Sequence, residues 1–112
     1  MKHVPFTQRS TGFSDKNCTV YEYGIGDKDI NIALIHLKGR YPLNGWSLNK
    51  KSKILAFIIK GTGAITFKQK SIKLSKGDTI FIDSGEQYFW KGNMEILLPA
   101  SPAWNTTQYL SD

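Results

Sequence analysis

The chain has 112 residues, a net charge of +6, a single cysteine and 40% hydrophobic residues. That length suits one domain over residues 1–112 with one core, and it leaves no room for a separate catalytic domain. One cysteine excludes an internal disulfide and a thiolate zinc cluster, while the lack of a spanning apolar run of roughly 20 residues or of a signal peptide leads to the expectation of a cytoplasmic protein away from membranes.

In chain order the pattern is all-β. Residues 1–16 show no clear periodicity and are expected to form an N-terminal arm. Residues 19–23, Thr-Val-Tyr-Glu-Tyr, alternate with β-branched and aromatic side chains and predict a strand. The Gly- and Asp-rich residues 24–29 predict a turn. Residues 31–38 predict a second strand, nearly apolar on both faces and carrying His36. Pro42, Asn44 and Gly45 mark residues 39–49 as loop. Residues 54–59 are a continuous apolar run whose length and β-branched content predict a buried strand. Gly61-Thr62-Gly63 then bends the chain into residues 64–67, and Lys68-Gln69-Lys70 makes a hairpin tip before residues 71–74. Residues 79–82, 87–90 and 95–98 supply three more short strands. Short strands with turn signals at this spacing predict a sandwich or barrel.

Lys50, Lys51, Lys53, Lys60, Lys68, Lys70, Lys73 and Lys76 precede the next acid, Asp78. Such a segment serves either as a patch for anionic partners or as solvated strand faces that discourage edge pairing. No helix-turn-helix, arginine cluster or RNA-recognition motif accompanies it, so nucleic-acid binding is not expected.

Residues 76–88 run Lys-Gly-Asp-Thr-Ile-Phe-Ile-Asp-Ser-Gly-Glu-Gln-Tyr. With the apolar strand at 54–59 and the paired glycines Gly61 and Gly63, this ordered set resembles the cupin superfamily over roughly residues 38–104. The resemblance implies a double-stranded β-helix, the jelly-roll β-barrel of RmlC-like proteins. It implies a cavity at one mouth of the barrel and commonly a homodimer. The Pro102-x-Trp104 segment, with Gln108 after it, also resembles the tail of small single-domain cupins, where Trp104 would anchor the tail on the barrel or across a dimer.

In cupins the first motif brings two His and a Glu, and the second brings one more His. By resemblance those positions fall near Ser47, Asn49, Ile54 (or Lys53) and Tyr88. None is a strong metal ligand, and His3 and His36 are the only histidines. No metal and no cofactor are therefore expected. A site assembled from His3, His36 and Asp83 is the residual exception.

The expected ligand pocket is Ser47 and Asn49 at the rim with Phe57, Tyr88 and Trp90 at the wall, holding a small molecule of unidentified type. The same aromatics would equally fill the space that the absent metal site leaves. His36 reads either as a structural histidine or as an acid–base partner of Tyr88 in a metal-independent isomerase or epimerase acting on a sugar-like molecule or small organic acid. The isomerase reading requires both side chains to face one cavity. Cys18 reads as structural, since no base or cation is in place to activate it.

Overall fold

In a computed structural model, residues 1–105 and 109–111 are described. Nine strands follow one another: β1 (Ser10–Ser14), β2 (Cys18–Glu22), β3 (Asn31–Tyr41), β4 (Ser47–Asn49), β5 (Lys53–Phe67), β6 (Ser71–Ser75), β7 (Thr79–Ile82), β8 (Tyr88–Ser101) and β9 (Tyr109–Ser111). All pairings are antiparallel. The only helical piece among the described residues is one 3-10 turn at Phe6–Gln8, and no helix is long and apolar enough to cross a membrane.

β8 is the spine of the barrel. One edge pairs with β3 from Asn31↔Ala100 to Tyr41↔Trp90, and the other pairs with β5 from Lys53↔Ser101 to Phe67↔Tyr88. β2 and β1 extend the sheet beyond β3, while β6 and β7 both pair with β5. The short strands expected at 87–90 and 95–98 are therefore one strand, and so are those at 54–59 and 64–67. Glycine joins rather than separates them. Gly39, Gly92 and Gly63 lie opposite one another across β3, β8 and β5. A Cβ on Gly92 would stand 2.5 Å from the Cα of Gly63, so only glycine permits this close approach as the strands cross between the two ends of the barrel.

The alternation of β5 decides its two faces. Ile54, Ala56 and Ile58 point into the core, whereas Leu55, Phe57 and Ile59 point outward. A register shift between Ile58 and Lys60 resets the pattern before Ile65 turns inward. The Gly77-Asp78 turn forms as its sequence suggests: the Asp78 carboxylate accepts the Ser75 N–H at 2.8 Å, and β7 follows. The core gathers Ile35, Leu37, Ile58, Ile65, Ile82, Trp90, Met94 and Ile96, all nearly sealed from solvent. The arm expected at residues 1–16 contains β1, which pairs with β2.

Candidate ligand cavity

A cavity of about 1000 Å³ opens at one end of the barrel. Its floor is built by an amide. Asn49, on β4 and only 2% exposed, donates Nδ2–H to the Tyr88 hydroxyl at 3.1 Å. Its Oδ1 accepts the indole N–H of Trp104 at 2.8 Å. Trp104 is held a second way by Asn31 at the start of β3. The Asn31 amide donates to the Trp104 carbonyl at 2.9 Å and accepts the Trp104 N–H at 3.0 Å. The three bonds to Trp104 draw the segment after β8 across the barrel end and present Trp104 to the cavity. Tyr88 and Trp90, two residues apart on the inner face of β8, meet edge to face at 6.1 Å. Such ring pairs contribute about 1 kcal/mol beyond their burial.

The wall is laid down by β2 and β3. Cys18, Val20 and Glu22 share the inner face of β2, opposite Leu37, Ile35 and Ala33 of β3. Cys18 is buried, and burial, helped by the nearby Asp15 carboxylate, pushes its thiol up to about 12. It is a packed, unreactive side chain. Glu22 is half-buried, lines the cavity, and has no hydrogen bond or ion pair among the described residues. The mouth is formed by residues 23–28 and 41–44. Asp27 shapes that rim by accepting the N–H groups of Asp29 and Ile30 at 2.9 and 3.1 Å.

The sequence-expected pocket residues part company here. Asn49, Tyr88 and Trp90 line the cavity together. Asn49 lies at the floor and not the rim. Ser47 pairs with Tyr88 in register and is fully buried, beneath the cavity lining and not in it. Phe57 is a correction: the two-residue period of β5 turns it outward, where it is 41% exposed. His36 is another, since it faces outward between Ile35 and Leu37, which face in. Its Nε2 lies 3.1 Å from Oε1 of Glu95, its cross-strand neighbour, and its ring meets Tyr21 edge-on at 5.2 Å. His36 and Tyr88 thus stand on opposite sides of the barrel wall and share no cavity. Gln108 lies outside the described residues.

The positions where the resemblance places metal ligands do not fit a divalent cation. Asn49 spends its amide on Tyr88 and Trp104, Ile54 is core, and Lys53 is exposed and cationic. Among the described residues no three His, Cys, Asp or Glu side chains cluster as a metal site would need. The lysines of residues 50–76 are all exposed, and Lys68 stacks on Trp46 with Nζ 4.3 Å from the ring centre.

The architecture has close counterparts among solved structures. The nucleoside dehydratase Pac13 superposes with a TM-score of 0.89 at 15% identity, over 100% of this chain and 91% of that one. An RmlC-like cupin from Shewanella frigidimarina superposes at 0.76, with 14% identity and 96% of each chain covered. The chain has the cupin fold. KdgF from Halomonas superposes at a TM-score of 0.73 and 9% identity, over 90% of this chain and 94% of that one. A variant of the Streptomyces Pac13 protein has been solved with uridine. No protein-family model matches the sequence, and no curated protein matches it. At these identities the likeness concerns the fold.

Two contributors to the cavity, Glu22 and Asn31, escaped the sequence reading, whereas Trp104 holds the tail on the barrel as the resemblance implied. Glu22 was legible in part: alternation in β2 puts it on the face of Val20, but the facing of that strand needs its partners. Asn31 and the identity of the Trp104 partners were not legible, because the Trp104 bonds to Asn31 and Asn49 span 73 and 55 residues.

Proposed function

We propose that this cupin is a metal-independent binding protein for a small organic molecule held in the barrel cavity. The observation that carries the reading is the hydrogen-bonded chain Tyr88–Asn49–Trp104 along the floor of a cavity whose wall is largely aliphatic and aromatic, with Glu22 and Asn31 in that wall and Asp27 and Lys28 at the mouth. A few fixed polar groups among aromatic and aliphatic surfaces are the usual make-up of a small-molecule site. A side-chain amide has two N–H donors and two acceptor lone pairs, and the bonds to Tyr88 and Trp104 engage one of each. The remaining pair, with the Trp90 and Trp104 rings, suits a flat ring carrying both donors and acceptors. Pac13 acts on a nucleoside and its variant holds uridine, which makes nucleosides the first class to test.

The test is a thermal-shift and calorimetry screen of ribonucleosides, free sugars and simple heteroaromatics against untagged protein. A ligand at 100 times its Kd is expected to stabilise the fold by about 2.7 kcal/mol, and Tyr88→Phe is expected to weaken it. No stabilisation by any compound of the screen would sink the reading. The isomerase alternative loses its proposed acid–base pair with the outward turn of His36. The lysine-rich alternative predicts binding to polyanions that weakens steeply with salt. A homodimer belongs to the proposal, and sedimentation velocity tests it: a single species at the chain mass of 12.7 kDa counts against it.

A further inference from the structure

Glu22 is out of place in an apolar wall. The inner rows of β2 and β3 read Cys18–Leu37, Val20–Ile35 and then Glu22–Ala33, with Leu98 of β8 beyond Ala33. Its cross-strand neighbour Ala33 has no group to answer a carboxylate. On the other side β1 offers Gly12, where a Cβ would stand only 2.5 Å from Oε2 of Glu22. The side chain thus lies over a glycine, in space that any larger residue would take. A carboxylate half-withdrawn from water keeps its place at a cost unless donors reach it, and no described residue supplies one.

We infer that Glu22 is a ligand-contacting residue, and that it recognises a neutral vicinal diol such as that of a furanose sugar. This rests on the binding function proposed for the same cavity. The carboxylate accepts hydrogen bonds through two oxygens side by side, and adjacent hydroxyls present two donors at matching separation. Lys28 at the mouth offsets a cationic ligand's attraction to this carboxylate, and the other acids of the lining, Asp15 and Asp27, accept backbone N–H groups of their own turns. Position fits the sugar as well. Ala33, opposite Glu22, is two residues from Asn31, which holds Trp104, a step of about 7 Å along β3. One molecule of two linked rings reaches both, its flat ring against Trp104 and its diol against Glu22. The carboxylate selects and orients; no bond is made or broken by it.

The experiment measures the affinities of uridine, 2′,3′-dideoxyuridine, cytidine, adenosine and methyl β-D-ribofuranoside by calorimetry, with wild type and Glu22→Gln. Far-UV circular dichroism and Tm without ligand confirm that the variant folds. Removing either the diol or the charge is expected to weaken binding about tenfold to hundredfold. The two losses should not add: Glu22→Gln should bind the dideoxy analogue as wild type does. Equal affinity of wild type for uridine and its dideoxy analogue overturns the inference without recourse to the variant, and so do losses that add in full. Binding of an aromatic compound such as indole with none of the sugars overturns it while leaving the proposed binding function intact. No ligand at all removes both.

Discussion

Glu22 and Glu95 stand on the same wall of β2, β3 and β8, one facing in and the other out. Glu95 lies opposite His36 and within 3.1 Å of it, with Lys60 at 4.0 Å on its other side. Glu22 lies opposite Ala33 and meets no donor among the described residues. The difference comes from alternation and register alone. Each outward position on β3 meets an outward position on β8, so a polar residue outside finds polar neighbours and water. The inward rows are largely apolar, so a polar residue there is left with the cavity unless, like Asn31 and Asn49, it meets another polar group at the barrel end. A lone carboxylate on the inner face therefore carries functional meaning that the fully partnered one outside does not.

The comparison breaks most visibly at the cavity floor. Trp90→Ala is expected to cost about 3–5 kcal/mol in urea denaturation, as for other buried large-to-small changes. A loss below 1 kcal/mol would mean that the inner face is not packed around this ring. Asn49→Leu sharpens the polar part of the same face. It removes the bonds from Asn49 to the Tyr88 hydroxyl and the Trp104 indole, at about 1–3 kcal/mol each. Tryptophan emission should shift to the red as Trp104 detaches from the barrel end; an unchanged spectrum would argue against the clasp.

Cys18 tests the inner wall by pH. Its thiol is raised to about 12 in the fold against 9.0 for an unperturbed cysteine, so between pH 9 and 12 the unfolded chain holds fewer protons than the folded one. Stability is therefore unaffected by this group below pH 9 and falls as pH rises through the window, by up to about 1.4 kcal/mol per pH unit. Cys18→Ala should be less stable at neutral pH and show a shallower alkaline decline; an equally steep decline would mean that the thiol is not the cause.

The outer face should respond least. His36→Ala removes a half-exposed ion pair and an edge-on ring contact, and is expected to cost under about 1 kcal/mol with no change in ligand affinity. A loss of ligand binding in this variant would place His36 in the functional site after all and erase the contrast between the two faces.

Much of the fold was legible along the chain because its signals are local. The Gly77-Asp78 turn, the apolar run at residues 54–59 and the alternation at 79–82 each report a strand or turn from neighbouring residues alone. Legibility failed at the long strands. Gly61 and Gly63 read as a bend between two strands, yet β5 runs through them, since glycine there serves the crossing of strands and not the end of one. It failed again at facing. Alternation shows that Phe57 sits opposite in sense to Ile58, but not which of the two sees the core; the pairing of β5 with β7 and β8 decides that.

By itself, then, the sequence determined an all-β chain with a cupin-like fold, with weak metal donors at the expected ligand positions and an aromatic pair at Tyr88 and Trp90. These follow from residue identity and short spacing, which need no partner strand. Only the tertiary structure decided that Asn49 joins Tyr88 to Trp104, that His36 looks outward to Glu95, and that Glu22 looks inward alone. Each of those depends on register between strands distant in sequence. A period of two specifies two faces, and the fold alone says which of them is the inside.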